Sequence, residues 1–128
     1  MNLDMHLPRL LDDGDIGLER LHAVPRDAQS DFRFIGTLIG AAAPLHASRG
    51  RWAEYRIYRT RGSNYVFSNI ARSALSDDRE QFAARVFFEP TTRCGSWARA
   101  AVKFFGHDVL ARSLYRKLGA PFREALLR

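Results

Sequence analysis

A stretch of aromatic and β-branched residues over positions 52–68 constrains the fold most strongly. Its two arms, residues 52–60 and 65–68, are rich in Trp, Tyr, Ile, Val and Phe, and Gly62, Ser63 and Asn64 lie between them. Gly and Asn tolerate the positive φ angles of tight hairpin turns, whereas the composition of the arms favours extended backbone. The pattern therefore predicts a β-hairpin with a short polar connection.

Two other segments show the alternation that is typical of strands. Residues 32–42 form the first predicted strand, with Phe34 and Leu38 on one face. Residues 81–89 form the last one, and Pro90 ends it. With the hairpin between them, these segments predict an antiparallel meander of about four strands.

Helical spacing replaces the strand pattern after Gly95. From Ser96 onwards, apolar residues recur on one face of a predicted amphipathic helix. Asp108 is suited to cap a second helix and Gly119 to end it, and a short third helix follows Pro121.

The order of strands first and helices later predicts an α+β fold. We expect two to three C-terminal helices to cover one face of the sheet and the other face to be open to a partner. The residues expected to meet at the covered face are Trp97, Phe104 and Phe105 of the first helix and Phe82, Val86 and Phe88 of the last strand.

Charge is distributed unevenly along the chain. Residues 1–31 contain seven acidic and three basic residues, whereas residues 32–128 contain seven acidic and 17 basic residues. We therefore divide the chain into an acidic N-terminal arm, residues 1–30, and a single basic α+β domain, residues 31–128. Within the arm, residues 15–22 favour a helical turn. Such asymmetry is typical of nucleic-acid-binding proteins, although the 18 Arg and 17 Ala are also what a GC-rich coding sequence produces.

Composition argues against several classes of protein. Cys94 is the single Cys, so no internal disulfide framework is possible, and the four His residues are scattered without metal-ligand spacing. No apolar run approaches the roughly 20 residues of a membrane span, and the N-terminus lacks the pattern of a secretory signal. We therefore expect a cytoplasmic protein that has no metal or other cofactor and does not contact a membrane.

We expect the protein not to be an enzyme. The sequence contains no phosphate-binding glycine loop and no nucleophile elbow. The enzymatic alternative is a ribonuclease, in which His107 or a hairpin Tyr would transfer the proton while Arg stabilises the phosphate.

The hairpin combines guanidinium groups with aromatic rings, which is how many proteins bind single-stranded nucleic acid. Alternation places Trp52, Arg56 and Tyr58 on one face, which we take as exposed, and it places Tyr55 and Ile57 on the other, which we take as core. The candidate binding residues are Arg49, Arg51, Trp52, Arg56, Tyr58 and Arg61 in the hairpin region and Arg112, Arg116 and Lys117 in the second helix.

Residues 58–65, which follow the strand segment 34–38, resemble the strand and hairpin of small uncharacterised bacterial proteins, including those called EXLDI proteins. The similarity covers residues 32–70, and the terminal motif that names that family is missing. Because that group has no established activity, the resemblance implies part of a fold and no function.

Two functions remain open. The first is a nucleic-acid-binding accessory protein. The second is a protein–protein interaction module or inhibitor of phage or plasmid origin that docks on a host protein or nucleoprotein complex, as anti-CRISPR proteins do. A homodimer is compatible with either function. A net charge of +10 over residues 32–128 excludes imitation of DNA, which requires a strongly acidic surface.

Overall fold

The computed structural model describes residues 16–44, 50–73, 80–89 and 96–126, and over these ranges five strands precede three helices. This order confirms the predicted α+β fold, with one strand more than expected. The elements are β1 (Glu19–Arg26), β2 (Gln29–Ala42), β3 (Arg51–Thr60), β4 (Tyr65–Ser73), β5 (Gln81–Phe87), α1 (Ser96–Phe105), α2 (Val109–Leu118) and α3 (Ala120–Leu126).

The strands form one antiparallel sheet in the order β1-β2-β3-β4-β5, which is the predicted meander. The predicted hairpin is β3–β4, whose register runs from Arg51 opposite Ser73 to Arg59 opposite Tyr65. Its turn is closed by a hydrogen bond from the Thr60 amide to the Asn64 carbonyl, at 2.8 Å. The local turn signal therefore predicted this pairing correctly.

The prediction of a helical turn over residues 15–22 is wrong, because residues 19–26 form β1. This strand pairs with β2 from Glu19 opposite Thr37 to Arg26 opposite Gln29. The prediction relied on Asp15 as a helix cap, which is a feature of the local sequence. The strand forms instead because residues 19–26 hydrogen-bond to β2. Residues 16–30 of the expected acidic arm therefore lie at or within the sheet, and residues 1–15 lie outside the described residues.

Helices α1 and α2 cover one face of the sheet, as predicted, and α3 packs against these two helices. The Trp97 ring of α1 stacks on Tyr65 of β4, with centroids 4.5 Å apart. The rings of Phe105 and Phe67 of β4 pack edge to face with their centroids 5.9 Å apart. Leu114 of α2 is fully buried in the same cluster. The apolar stripes of α1 and α2 thus form the main core with the face of β3 and β4 that is turned toward the helices.

The opposite sheet face is not open, which corrects the prediction. Val24, Leu38, Tyr58 and Val66, from four different strands, form a second buried cluster there. The sheet coils around this cluster, so that the amide of Asp27, just after β1, donates to the Phe82 carbonyl of β5 at 3.0 Å. Strand twist and a register shift in β2 between Leu38 and Gly40 favour such coiling.

The faces of β5 are the reverse of those predicted. Val86 packs against the second cluster instead of α1, while Phe87 packs against the helices. Phe82 is on the same face as Val86, and Phe88 lies beyond the strand with 72% of its surface exposed. The alternation was read correctly, but one strand alone does not indicate which of its faces the helices cover.

We expect Ala28→Gly to stabilise the protein by about 1 kcal/mol. Arg26 pairs with Gln29, so Asp27 and Ala28 form a two-residue loop, and Ala28 has a φ of 58°. This left-handed conformation costs a residue with a Cβ about 1–2 kcal/mol, a cost that Gly avoids. Urea denaturation measures the difference. As a control, Ala23→Gly within β1 should destabilise by about 0.5–1 kcal/mol, and a loss of stability in both variants would contradict the assigned loop.

Candidate functional site

A fully buried carboxylate, Glu54 of β3, organises the polar residues at one end of the coiled sheet. Its Oε1 pairs with Nη2 of Arg56 at 3.1 Å, and its Oε2 pairs with Nε of Arg72 at 2.7 Å. The indole Nε1 of Trp52 also donates to Oε2, at 3.1 Å. These four residues are the Glu54 network. Trp52, Glu54 and Arg56 lie on the same face of β3 because every second residue of a strand shares a face. The β3–β4 register adds Arg72 by placing it opposite Trp52.

The charges of the Glu54 network are compensated within the protein. Arg72 makes a second ion pair with Glu80, from Nη1 to Oε2 at 2.8 Å. Two carboxylates therefore face two guanidinium groups, and the side chains of Arg56 and Arg72 are only 18% and 15% exposed. A buried carboxylate needs such partners to offset its desolvation. Arg56 is thus engaged with Glu54, and its charge is largely unavailable to an external phosphate.

The aromatic candidates of the hairpin are mostly core residues. Tyr55 and Ile57 are buried on the helix side, as predicted. Tyr58 was expected to be exposed and is not: it is only 5% exposed, because the coiled sheet encloses it. Trp52 is half-buried, and its N–H is used by Glu54. An open stacking surface of Trp52 and Tyr58 does not exist in this structure.

The other hairpin candidates lie at opposite ends of β3. Arg61, in the turn, is exposed and donates to Oε1 of Glu19 at 2.7 Å, a hydrogen bond that lowers the pKa of Glu19. Arg51 is exposed at the start of β3, near the helices. Arg49 lies outside the described residues. The hairpin arginines that the structure describes, Arg51, Arg56 and Arg61, therefore do not form one patch.

The helical candidates are exposed. Arg112, Arg116 and Lys117 all lie on the surface of α2, and Lys117 Nζ donates to the Ala41 carbonyl at 3.2 Å. Further exposed cations lie on α1 and α3. We call the whole set the basic helical face: Arg99, Lys103, Arg112, Arg116, Lys117 and Arg123.

Few acidic residues accompany the cations of the basic helical face within the helical segment itself. Residues 96–126 contain two, Asp108 and Glu124. The Asp108 carboxylate accepts the Ala111 amide at 2.7 Å and so caps α2, and it accepts the Tyr55 hydroxyl at 2.7 Å. Burial, together with this second bond, raises the pKa of Tyr55. The helical layer therefore keeps a net positive charge.

His22 of β1 lies between two aromatic rings inside the coil. Its ring centroid is 5.5 Å from that of Phe34 and 4.8 Å from that of Tyr58, and its Nε2 is buried without a hydrogen-bond partner. Burial lowers the pKa of His22, and the nearby charges of Arg20 and Arg56 lower it further. The neutral imidazole is the form that this site favours.

Sequence reasoning missed His22 and Arg72 and did not recognise that Glu54 is buried. The sequence did contain a signal, because alternation places Glu54 on the same strand face as Trp52 and Tyr58. A face that carries two large aromatic residues is rarely exposed to water along its whole length. Only the β3–β4 register identifies Arg72 as its second partner.

Other classes of site are not supported in the part of the chain that the structure describes. There, no group of three or more His, Cys, Asp or Glu side chains is arranged to hold a metal ion. No described helix has the length and apolar character needed to cross a bilayer. The hairpin residues Tyr55 and Tyr58 are buried, whereas His107, the other residue considered for proton transfer, is exposed.

We expect Glu54→Gln to destabilise the protein by about 3–5 kcal/mol, because the substitution leaves the mostly buried guanidinium group of Arg56 without a counter-charge and leaves Arg72 with Glu80 alone. Urea denaturation measures this loss. The matched control is Glu19→Gln, which removes the exposed partner of Arg61 and should change the midpoint little, since exposed pairs contribute little. Equal midpoints for the two variants would contradict the structural role of Glu54.

We expect stability to fall at acidic pH in a way that depends on His22. Its folded-state pKa lies below the ordinary value of 6.5, so the unfolded chain takes up the proton first. The contribution of His22 is therefore present above pH 6.5 and is lost as the pH falls from 6.5 through the lower folded-state pKa. The melting temperature of the wild type should fall relative to that of His22→Phe as the pH decreases across this range, and a difference that does not change with pH would contradict the prediction.

Comparison of the chain with protein-family models, with curated proteins and with solved structures finds no match in any of the three. The resemblance of residues 32–70 to EXLDI proteins therefore stays a prediction. The function has to be inferred from the geometry and charge of the described residues.

Proposed function

We propose that the protein is a non-enzymatic nucleic-acid-binding accessory protein that contacts phosphates with the basic helical face. The observation that carries this proposal is the charge of the helical layer: six exposed cations on three short helices, opposed by only two acidic residues in the same segment. Phosphate contacts by Arg and Lys supply most of the sequence-independent affinity for nucleic acid. We also propose that the protein acts in the cytoplasm.

The positions of the cations follow from the packing of the helices. On α1, Trp97 and Ala101 are buried against the sheet, and Arg99 and Lys103 lie one turn apart on the opposite side. On α2, Arg112 and Arg116 are likewise one turn apart, about 6 Å along the axis. Neighbouring cations on the outer side of a helix are well placed to contact successive phosphates.

Ion pairing distinguishes the basic helical face from two arginines of the hairpin. Arg56 and Arg61 of the hairpin pair with Glu54 and Glu19. The charge of an Arg already paired with a carboxylate adds little to the long-range potential, whereas a cluster of one sign raises the local concentration of a polyanion. The helical layer is therefore the better candidate interface.

A second candidate function, a protein-interaction module or phage- or plasmid-encoded inhibitor, is favoured by one apolar feature. Leu21 of β1 and Ile35 of β2 are cross-strand partners on a part of the sheet that the helices do not cover, and they are 72% and 40% exposed. Two adjacent exposed apolar residues on a sheet are more typical of an interface than of a solvated surface. A second copy of the chain or a host protein is the corresponding partner.

We expect Arg112→Ala/Arg116→Ala to weaken nucleic-acid binding and to reduce its salt dependence. The measurement is fluorescence anisotropy of a labelled oligonucleotide at several salt concentrations. Removal of two phosphate contacts should reduce the slope of log K against log salt by about 1.4 for a single strand and about 1.8 for a duplex. The melting temperature should change little, because both side chains are exposed.

The matched control is Arg33→Ala/Arg85→Ala, which removes the same charge from exposed positions on β2 and β5. This control should retain most of the wild-type slope. Equal losses in the two double variants would mean that net charge, and not the basic helical face, determines binding. Absence of binding by the wild type at about 50 mM salt, where phosphate contacts are strong, would overturn the proposal and favour the protein-interaction function.

A further inference from the structure

A pocket of about 390 Å³ lies where the start of β3 meets the start of α2. Its walls include Pro44, Val109 and Leu110, its rim includes Arg51, and Tyr55 and Asp108 contribute polar atoms. The volume lies within the range of about 300–1,000 Å³ that is usual for small-molecule sites. A mostly apolar pocket with a few convergent polar groups is the usual form of such a site.

The pocket is continuous with the basic helical face. Val109, Arg112 and Arg116 are at positions i, i+3 and i+7 of α2, so they lie along one side of the helix. Val109 lines the pocket and is 83% exposed, the largest exposure among the large apolar residues described. An apolar opening thus leads directly to two exposed guanidinium side chains, which suits a ligand with one planar apolar part and adjacent negative charges.

Resting on the proposed function, we infer that this pocket holds one unpaired base of a single-stranded nucleic acid while Arg112 and Arg116 contact the adjacent phosphates. The base occupies this pocket, against lining residues that include Pro44 and Val109. Duplex ends and paired bases do not present a separated ring, so this site adds a preference for single strands to the sequence-independent phosphate contacts. Proteins that bind single strands commonly combine a base site of this kind with a cationic track.

The Asp108 carboxylate determines which bases suit the pocket. Each of its oxygens accepts one hydrogen bond, from Ala111 and from Tyr55. A carboxylate has about four acceptor positions, so further positions remain. Cytosine and adenine present an exocyclic amino donor to such an acceptor, whereas the only ring N–H donor on the pairing edge of thymine and uracil, N3–H, is flanked by two carbonyl oxygens that the carboxylate repels. The site therefore favours bases that carry an amino group.

The test is fluorescence anisotropy with labelled oligodeoxycytidine, oligothymidine and a duplex of the same length. We expect the wild type to bind oligodeoxycytidine roughly tenfold more tightly than oligothymidine, the scale of one good base contact. The two strands carry identical phosphates, so the ratio of their affinities reports the bases, and the pocket variants show how much of it comes from the pocket. Asp108→Asn keeps a helix-capping side chain but replaces one acceptor by a donor, so it should abolish or invert that ratio.

Two matched pairs of variants locate the effect. Ala53→Leu fills the pocket without a change of charge and should remove the preference for oligodeoxycytidine, whereas Ala83→Leu, at an exposed position of β5, should keep it. If Ala53→Leu does not fold, Val109→Asp and Ser113→Asp replace it. Both add one negative charge to α2, but only the first alters the wall of the pocket.

The outcomes separate this inference from the proposed function. Binding of no nucleic acid overturns both. Equal affinity for the two single strands and the duplex, with loss of binding in Arg112→Ala/Arg116→Ala, overturns the base pocket and leaves the phosphate-binding function intact. A preference for oligodeoxycytidine that persists in Ala53→Leu or Val109→Asp also overturns it.

Discussion

Coiling of the five-stranded sheet is the constraint on which the rest of the structure depends. A sheet that buries apolar residues on both faces needs two covers, and here the helices provide one while the sheet provides the other by curling around Leu38, Tyr58 and Val66. The hydrogen bond from Asp27 to Phe82 fixes the end of β1 against β5. Every polar residue on the inner face must then be paired within the protein or carry a desolvation cost.

The Glu54 network follows from that requirement. Once the inner face is enclosed, the Glu54 carboxylate is inaccessible to water, and hydrogen bonds from Arg56 and Trp52 together with the charge of Arg72 replace its hydration. The same enclosure disfavours a charge on His22. Arg56, which looks suited to a ligand in the sequence, is therefore engaged in stability, whereas the six cations of the basic helical face are exposed.

The helical layer combines a group of outward-facing cations with an adjacent pocket. Its cations face away from the core because the apolar stripes of α1 and α2 must face it, and the acidic residue Asp108 is used to cap α2 and to bind Tyr55. The start of β3 and the start of α2 enclose a pocket beside Arg112. Phosphate binding and base selection would thus occur at one surface, with the charges and the pocket held by the main core.

The sequence by itself determined the β3–β4 hairpin, the strands at 32–42 and 81–89, and the helices with their caps, because these depend on local periodicity and turn chemistry. It also placed Tyr55 and Ile57 in the core and identified Arg112, Arg116 and Lys117 as candidates. Only the tertiary structure decided that β1 is a strand, that Tyr58 is enclosed and that Val86 faces away from α1. It also brought Arg51, Tyr55 and Asp108 together around the pocket. Alternation divides a strand into two faces but does not say what covers each one, since that depends on the coiling of the whole sheet and on contacts between residues far apart in the chain.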